Sequence, residues 1–561
     1  MTNRIWSIHS TLRIMCSIAG LMDKNGYNVS ATLLDMLKQT SHRGPDGCGI
    51  YVEGVLEKAN DIQTLKINNM HGSSGLGHSR LQITGSADGV QPLTGCYKRF
   101  ILGFNGEIWN YKELRADLIS KGHVFETDSD SEVIVHLIEE NYKKCAHLST
   151  SVLRANQKLD GEFAFVIFDN ITKKIILTRD PVGVKPLYYG QNKKYVSFCS
   201  EKKPLWKIGI IPKRVLPGEV IELIFDTNST RPVFKIHGNN ELSRPFTELY
   251  DQEISLERYK QALFNSVKKR IDNKNKIGII FSGGIDSVLI ARVAQLLSYD
   301  ITCYTSGFRE SSDVISSINA AKKLDLDLKI HELSEKELKS NLENIVSSIE
   351  STNHLQIDVA IPIFFAVKEA KKDNVRVMLT GQGADEIFAG YSWYPEILRK
   401  EGGEILNQNL WNDIKNLYKD TLEREDKITM YHSIELRVPY LDPEVIRVAM
   451  SISENLKIKD DHVKYIHRKL AQDLGVPIDL AWRKKEAAQH GSNVHNKLLG
   501  VLENMAKISS NNISHRRTSE NLGSAYRYNH SVYQKNEQVQ NLLDVIGERL
   551  GLYPAINYAE S

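Results

Sequence analysis

The pattern of apolar residues changes near the middle of the chain, and this change constrains the fold more than any other feature. Residues 16 to about 210 carry short alternating runs rich in β-branched and aromatic residues, such as RFILGFNGEIWN and GEFAFVIFDN. Such runs predict antiparallel sheets accompanied by a few helices. From about residue 256, apolar strands alternate with long amphipathic helices, which predicts a parallel α/β sheet. A chain of 561 residues also exceeds what one hydrophobic core usually organises.

These patterns divide the chain into five segments. We expect an N-terminal extension over 1–15, a first domain over 16–225, a polar, turn-rich linker over 226–255, a second domain over 256–500 and a polar C-terminal tail over 501–561. The amphipathic run VQNLLDVIGERLG predicts a short helix within that tail.

Charge and cysteine content exclude several classes of protein. The 72 basic and 69 acidic residues give a net charge of +3, which offers no reason to expect a nucleic-acid or anionic-membrane binder. No apolar run approaches the roughly 18–20 residues that span a bilayer. The 6 cysteines contain no CxxC pair, so neither a disulfide framework nor a zinc site is indicated. We therefore expect a cytoplasmic protein without nucleic-acid or membrane partners.

The run FSGGIDS is the strongest local signal in the second half. An apolar strand leads into Ser282, Gly283 and Gly284, and a helix begins near Asp286 and Ser287. Backbone N–H groups at such a glycine turn and helix start can bind phosphate. The Walker pattern is absent, and the run is similar to that of the PP-loop ATP pyrophosphatases, which form adenylates. The alternative is a strand–turn–helix corner that is merely rich in small residues.

A second glycine-rich strand end, LTGQGADEIFAGY, supplies carboxylates that a triphosphate site needs. Magnesium prefers one or two protein carboxylates together with phosphate oxygens. Asp286 and Asp385 each follow a strand and can meet at one edge of a parallel sheet. Lys464, placed before a helix, could neutralise departing pyrophosphate. Each residue taken alone would more often be a structural charge.

The order of these motifs carries a family resemblance. SGGxDS, LTGxGADE, SxExRVPxLD and a helix opening with Lys-Tyr resemble, in that order, the synthetase domain of glutamine-hydrolysing asparagine synthetases. In that family the aspartate side chain is adenylated and ammonia displaces AMP. The resemblance implies magnesium at Asp286 and Asp385 and a pyrophosphate contact at Lys464. It also implies ATP contacts at the following positions: Phe281, Ser306, Thr380 and Gly381.

One position departs from the family pattern. The corresponding family loop reads GEGxDE, with a glutamate that serves adenylate formation or ammonia deprotonation, whereas this chain has Gln382. An amide can orient a group by hydrogen bonds but cannot accept a proton at pH 7. We interpret Gln382 as an active-site contact with a polarising role; the alternative is a weakened or retargeted synthetase.

The first half contains a second ordered set of motifs: CSIAGL, SHRGPDGCGIY, GHSRLQITG, FNGEIWNY, TDSDSEVI, LDGEFAFVIFD and RDPVGVKPLYY. This set resembles the class II glutamine amidotransferase domain. The resemblance implies an Ntn-hydrolase-type β-sandwich with αββα layers. It also implies an N-terminal cysteine nucleophile, Cys16, whose own α-amine is the base. An α-amine with a pKa of about 8 suits that role.

The same resemblance assigns the remaining glutaminase residues. Arg80 would bind the glutamine α-carboxylate in a bidentate manner. Glu107 and Asp130 would hold its α-ammonium group, and Asn105 with Gly106 would form the oxyanion hole. Taken singly, NG is also the strongest hairpin dipeptide.

Cys16 raises a difficulty, because in the chain as written its nitrogen is an amide and is not basic. We expect translation to start at Met15, with that methionine then removed. The alternative is that residues 1–15 are cleaved as a processing or targeting segment.

The two halves together predict an ATP-dependent asparagine synthetase that takes ammonia from glutamine. Its partners would be the small molecules glutamine, aspartate and ATP, with Mg²⁺, and the family suggests a homodimer. Two alternatives stay open. One is another amide- or lactam-forming synthetase, and the other is a non-catalytic relative with an interaction or regulatory role.

Overall fold

The computed structural model describes residues 16–44, 46–80, 89–224, 233–271, 276–460, 462–483, 494–509 and 537–552. The expected extension over 1–15 lies outside the described residues. Among the described helices, none combines the length and the apolar character that a membrane crossing requires.

Two antiparallel sheets form the first half of the chain. The first sheet has the strand order β11-β9-β10-β1-β4-β2-β3, and the second has the order β13-β12-β8-β7-β6-β5. Their bounds are β1 Ser17–Asp23, β2 Gly47–Val52, β3 Val55–Ala59, β4 Ser74–Arg80, β5 Leu93–Thr94, β6 Phe100–Ile108, β7 Gly161–Asp169, β8 Ile175–Arg179, β9 Tyr188–Gln191, β10 Tyr195–Cys199, β11 Lys213–Arg214, β12 Glu219–Ile224 and β13 Val233–Asn239.

The two sheets face each other and helices cover their outer surfaces. Ile18 and Leu76 from the first sheet pack against Ile101 and Val166 from the second. The helices of this half are α1 Ser30–Gln39, α2 Tyr111–Ser120, α3 Glu132–Cys145, α4 Leu148–Asn156 and α5 Lys203–Lys207. Residues of α1 and α5 pack on the first sheet, and residues of α3 and α4 pack on the second. The predicted αββα sandwich is therefore confirmed.

A parallel sheet forms the second half. Its strands are β14 Ile277–Ile280, β15 Ile301–Gly307, β16 Asp327–Glu332, β17 Val377–Leu379 and β18 Glu435–Arg437, in the order β16-β15-β14-β17-β18. Every neighbouring pair in it is parallel. This confirms the predicted α/β class and places the loops after β14, β15 and β17 at one edge.

The helices of the second half begin with α6 Gln252–Arg270, α7 Ile285–Leu296, α8 Ser312–Leu324, α9 Glu335–Ile349, α10 His354–Lys372, α11 Ala384–Ile387 and α12 Tyr394–Glu401. They continue with α13 Gly403–Leu417, α14 Glu423–Tyr431, α15 Pro443–Ser451, α16 Glu454–Lys457, α17 Tyr465–Asp473, α18 Ile478–Ala481, α19 Val494–Ser509 and α20 Glu537–Arg549.

Two of the expected segments, the linker and the tail, differ from the structure. The linker over 226–255 contains β13, which pairs with β12 and so belongs to the first domain, and α6 begins before the linker was expected to end. The tail over 501–561 supplies apolar residues, among them Leu502, Leu543 and Ile546, to a hydrophobic core that also contains residues of α9 and α10. The short helix expected there is α20. Because α19 crosses residue 500, that position is not a domain boundary.

Candidate active sites

The start of β1 and the end of β4 lie side by side at one end of the sandwich. Ser17 pairs with Ser79 in antiparallel register, so Cys16 lies beside Arg80. Both residues are nearly buried, with 9% and 3% of their surface exposed. The structure therefore brings together the predicted nucleophile and the predicted carboxylate-binding residue.

Strand β6 of the second sheet ends at the same place. Gly103 lies so close to Ile18 and Leu76 that an added Cβ would stand 3.2–3.5 Å from them. One residue on, the Phe104 carbonyl oxygen lies 2.8 Å from Nε2 of His78. Asn105, Gly106 and Glu107 follow on the same strand, so they lie toward the end of the sandwich that holds Cys16.

Asn105 has an unusual hydrogen-bond environment. Its side chain is buried, and Nδ2 has no hydrogen-bond partner among the residues that the structure describes. A buried amide donor without a partner is costly, by about 1–3 kcal/mol. The neighbouring Gly106 has a φ of 147°, and a Cβ there would stand 2.1 Å from the Glu162 carbonyl oxygen. This position of β6 therefore requires glycine.

Two carboxylates complete this cluster. Burial lowers the pKa of the Arg80 guanidinium, and the charges of Cys16 and Asp130 partly offset that effect. Asp130 accepts a hydrogen bond from the Ile108 backbone N–H at 2.9 Å, which fixes it beside β6. Glu107 pairs with Arg437 Nη2 of the second half at 3.4 Å. The predicted glutamine-binding residues Arg80, Asn105, Glu107 and Asp130 are thus all buried.

Sequence reasoning missed Arg43, which contacts the backbone of Cys16. Its Nε donates to the Cys16 carbonyl oxygen at 3.3 Å, and its other nitrogens pair with Glu201 at 3.2 Å and Asp426 at 2.8 Å. All four residues are buried. Asp426 belongs to α14 of the second half, so this contact joins the two halves at the nucleophile. The only available signal was the arginine of the SHRGPDG motif.

The loop after β14 has the geometry expected of an anion-binding turn. The Phe281 N–H donates to the Tyr304 carbonyl at 2.8 Å, which extends the sheet pairing, and the Gly284 N–H donates to Ser282 Oγ at 3.3 Å. Ser287 Oγ donates to the Gly284 carbonyl at 3.0 Å within the first turn of α7. Gly283 has a φ of 68°, and a Cβ there would stand 2.5 Å from the backbone of α8. The chain turns here in a way that only glycine permits.

Asp286, Asp385 and Lys464 meet at this edge of the sheet. Lys464 Nζ lies 2.7 Å from both carboxylate oxygens of Asp286 and 2.7 Å from Oδ1 of Asp385. Burial by itself lowers the pKa of Lys464, but the two carboxylates outweigh it and the pKa is raised. The three predicted residues thus meet, and the Lys464 ammonium lies between the two carboxylates.

The remaining predicted ATP contacts lie at the same edge. Gly381 approaches Asp286 so closely that a Cβ would stand 2.9 Å from that of Asp286, and the Thr380 N–H donates to the Arg437 carbonyl at 3.2 Å. Ser306 is the last but one residue of β15, and its hydroxyl donates to the Pro362 carbonyl at 2.6 Å. All three positions therefore lie at this edge of the sheet. The Ser306 hydroxyl already donates a hydrogen bond within the chain.

Behind the cation lies a buried aromatic network that sequence reasoning also missed. His467 Nε2 lies 3.2 Å from Asp286 Oδ1, and its Nδ1 lies 2.8 Å from the Tyr259 hydroxyl. Tyr440 donates to the Asp286 backbone carbonyl at 2.9 Å. These contacts hold Asp286 in place, and the i+3 spacing of Lys464 and His467 was the signal that could have revealed them.

Gln382 contacts a carboxylate from a distant part of the chain. Its Nε2 donates to Oε1 of Glu425 on α14. Burial raises the pKa of Glu425 to about 7, although Arg424 at 3.3 Å and the Gln382 amide act in the opposite direction. The other carboxylate oxygen, Oε2, is buried and finds no hydrogen-bond partner within the described ranges. The Gln382 amide thus contacts the Glu425 carboxyl, whose pKa of about 7 allows it to exchange a proton near neutral pH.

The carboxylates fit a magnesium ion bound together with phosphate. Asp286 and Asp385 are close enough for one ammonium to bridge them, and each keeps 17–19% of its side chain exposed. Mg²⁺ uses one or two carboxylates and fills its other positions with water and phosphate oxygens. The donor set and its partial exposure match that requirement.

Family models match both halves of the chain. A glutamine amidotransferase domain model matches residues 15–260, and an asparagine synthase model matches residues 258–405 and 398–545. The second match extends beyond residue 500, in agreement with the helices that the tail contributes to the core.

Similar proteins match over most of their length. A Methanocaldococcus jannaschii protein bearing the name asparagine synthetase [glutamine-hydrolyzing] 1 is 35% identical over 523 residues, covering 85% of this chain and 94% of the relative. The asparagine synthetase [glutamine-hydrolyzing] 1 of Bacillus subtilis is 28% identical, covering 84% and 86%. The asparagine synthetase [glutamine-hydrolyzing] of Rattus norvegicus is 27% identical, covering 88% and 87%.

Proposed function

The chain belongs to the glutamine-hydrolysing asparagine synthetase family, and from this we propose that it makes asparagine from aspartate, ATP and glutamine. The observation that carries the proposal is the coexistence of two complete clusters in one chain. One contains Cys16, Arg80 and Asn105, and the other contains Asp286, Asp385 and Lys464. An enzyme with both can release ammonia and consume it.

In the glutaminase half, the Cys16 sulfur attacks the side-chain amide carbon of glutamine. Arg80 binds the substrate α-carboxylate, and Asp130 and Glu107 bind its α-ammonium. The unpaired Asn105 Nδ2 and the Gly106 N–H bind the oxygen that becomes negative as the tetrahedral intermediate forms. Ammonia leaves with a proton delivered from the Cys16 amine, and water then releases glutamate from the thioester.

That mechanism requires a basic amine on Cys16. We propose that active protein begins at Cys16, either through a start at Met15 or through removal of residues 1–15. N-terminal sequencing of active protein then finds cysteine first. A preparation that retains residues 1–15 and still hydrolyses glutamine at the full rate would contradict the N-terminal-amine mechanism.

In the synthetase half, the side-chain carboxylate of aspartate attacks the α-phosphorus of ATP, giving β-aspartyl-AMP and pyrophosphate. The turn over Ser282, Gly283 and Gly284 binds phosphate oxygens, and Lys464 stabilises the negative charge on departing pyrophosphate. Asp286 and Asp385 would hold Mg²⁺, which neutralises triphosphate charge when bound. Phe281, Ser306, Thr380 and Gly381 surround the nucleotide.

Ammonia then attacks the β-carbonyl carbon and AMP departs. The nitrogen must lose a proton as the C–N bond forms, and Gln382 cannot accept it. We assign that role to Glu425, whose pKa of about 7 suits proton exchange at neutral pH and whose Oε1 accepts from Gln382. Gln382 orients the reacting group, as its amide chemistry allows.

Assembly and location complete the proposal. We propose a homodimer located in the cytoplasm, without nucleic-acid partners, in keeping with the small net charge of +3. Sedimentation of the purified chain and fractionation of the source cells test these two statements.

The direct test is a product assay with aspartate, ATP and Mg²⁺, run with glutamine and separately with ammonium. Asparagine and AMP in equal amounts from both nitrogen sources are expected. Activity with ammonium alone would contradict the glutaminase assignment. Absence of AMP from both reactions would exclude the synthetase assignment and favour a non-catalytic role. A different acceptor acid would favour another amide-forming synthetase.

A further inference from the structure

Four metal-binding side chains converge outside both active sites. Cys96 lies in the turn between β5 and β6, His123 lies in the segment between α2 and α3, and His136 and Glu139 lie one turn apart on α3. One ligand atom from each residue lies within 4.8 Å of the others. The mechanism above uses none of these residues.

The separations between their ligand atoms are short and nearly equal. The two histidine Nδ1 atoms are 3.3 Å apart. Cys96 Sγ lies 3.8 Å from Nδ1 of His123 and 3.6 Å from Nδ1 of His136. Glu139 Oε2 lies 3.3 Å from Nδ1 of His136 and 3.6 Å from Nδ1 of His123.

These separations are within about 0.1 Å of those between the corners of a zinc tetrahedron. With Zn–N of about 2.0–2.1 Å, Zn–O of about 2.0–2.2 Å and Zn–S of about 2.3 Å, tetrahedral ligand atoms stand about 3.3–3.7 Å apart. A hydrogen-bonded cluster would not need both imidazoles to present the same nitrogen to a thiol and a carboxylate. One thiol, two imidazoles and one carboxylate also form a donor set that suits zinc.

The surrounding contacts resemble those that orient metal ligands. The other nitrogen of His136, Nε2, lies 3.3 Å from Glu132 Oε1. Glu132 in turn accepts hydrogen bonds from the backbone N–H groups of Glu126 and Thr127 at 2.7 and 2.8 Å. The Val124 N–H donates to Cys96 Sγ at 3.4 Å. Imidazole–carboxylate pairs of this kind fix the ring that binds a metal and make it more basic.

We propose that Cys96, His123, His136 and Glu139 bind one Zn²⁺ ion in a closed tetrahedral site. The two histidines and Glu139 are buried, whereas Cys96 is exposed and gives the ion a route of entry. Four protein ligands leave no open position for substrate, so the ion is structural. The ligands come from three separate segments, which explains why the cysteine spacing in the sequence gave no sign of the site.

The ion would fasten the loop that carries part of the glutaminase site. The segment from His123 leads through Asp130 into α3, and the Cys96 turn leads directly into β6. Holding these segments together would fix Asp130 against Ile108, where it accepts the backbone hydrogen bond. This consequence rests on the proposed function, whereas the zinc site itself does not.

Metal analysis of the purified full chain tests the site. We expect about one zinc per chain, lost in Cys96→Ser and in His136→Gln and retained in Cys145→Ser, which alters a cysteine of α3 outside the cluster. With Co²⁺ in place of zinc, a thiolate-to-cobalt charge-transfer band should appear in the unaltered chain and in Cys145→Ser and should be absent in Cys96→Ser and His136→Gln. Circular dichroism confirms that each variant is folded.

Three results would overturn the proposal. They are a wild-type chain without zinc and without a cobalt spectrum, zinc retained in both cluster variants, and equal zinc loss in Cys145→Ser.

Measurement of activity gives a separate test. Loss of zinc in Cys96→Ser should lower glutamine-dependent synthesis about tenfold and leave ammonium-dependent synthesis nearly unchanged. If the metal analysis succeeds and no asparagine forms from either source, the proposed function fails while the zinc site stands.

Discussion

At the scale of single residues, the clearest sign of function is a buried group that the fold leaves unsatisfied. Asn105 Nδ2 and Glu425 Oε2 are both buried without a hydrogen-bond partner in the described part of the chain. Such groups cost stability unless a ligand completes them. Each stands in one of the two clusters, and each therefore allows a direct test of the residue's role.

Asn105→Ala should lower glutamine hydrolysis by about 10²–10³-fold, because it removes a donor aimed at the developing oxyanion. Ammonium-dependent asparagine formation, measured in the same preparation, should not change. Asn170→Ala, which alters an asparagine in the turn after β7, is the matched control. Equal loss of both activities would show that Asn105 is only structural.

Glu425→Gln should remove the rise of ammonium-dependent synthesis as pH increases through about 7. The sign follows from the role: burial raises the pKa of Glu425 to about 7, so the proton-accepting carboxylate is present above that pH and is lost below it. The double variant Gln382→Glu with Glu425→Gln keeps one amide and one carboxylate in contact and should recover part of the activity. An unchanged pH profile in Glu425→Gln would contradict the assignment.

At the scale of secondary-structure elements, the glycine turn after β14 shapes the synthetase cluster. Gly283 has a φ of 68° and faces the backbone of α8, whereas Gly122 has a φ of 87° and open space around its Cα. The two glycines thus share a left-handed conformation and differ in their surroundings.

Gly283→Ala should therefore destabilise the fold more than Gly122→Ala. The left-handed conformation alone costs about 1–2 kcal/mol in either variant. At Gly283 the added Cβ would also meet the Ser316 carbonyl carbon at 2.5 Å, which forces the phosphate-binding turn away from α8. Denaturant unfolding measures the difference, and AMP formation should fall only in Gly283→Ala. Equal destabilisation by the two variants would contradict the close packing at this turn.

The sequence predicted most elements of both folds because local patterns encode them. The strands β6, β7 and β14 are buried and apolar, and turn signals mark their ends. The sequence did not predict β13, whose run VFKIHGN leaves Ile236 60% exposed at the edge of a sheet. The sequence also gave no sign of α19 or of the packing of α19 and α20 in the second half, because their apolar residues pack on Leu342 and Ile345 of α9, far away in the chain.

The candidate sites follow the same division. Motif order singled out Cys16, Arg80, Asp286 and Lys464, because each lies at a strand end or a helix start. Glu425 contacts Gln382 from α14, which lies in the sequence between LTGQGADE and SIELRVPYLD. No local pattern marks Glu425. Contacts of this kind depend on tertiary packing and cannot be read from spacing.

At the scale of the whole molecule, one helix connects the two sites. On α14, Glu425 contacts Gln382 of the synthetase cluster, and the next residue, Asp426, contacts Arg43, which donates to the Cys16 carbonyl. Lys427 on the same helix pairs with Glu350 at 2.8 Å. A shift of this helix would therefore change contacts in both clusters.

Asp426→Asn should weaken the coupling between the two reactions while preserving each. The substitution removes the ion pair between Arg43 and α14, and with it the contact that links Cys16 to the synthetase half. We therefore expect glutamine hydrolysis to continue when no adenylate is formed, so that glutamate forms in excess of asparagine. Glu404→Gln, which removes an exposed ion pair with Arg244, is the control. A glutamate-to-asparagine ratio equal to that of the unaltered chain would contradict the role of α14.

The central claim is that the two halves act as one amide-forming enzyme, and isotope transfer tests it most directly. The chain is supplied with aspartate, ATP, Mg²⁺, glutamine labelled with a heavy isotope in its amide nitrogen, and an excess of unlabelled ammonium. The account predicts that most asparagine carries the label and that AMP forms in equal amount. Asparagine labelled only in proportion to the bulk ammonia pool, or glutamate formed without any asparagine, would contradict it.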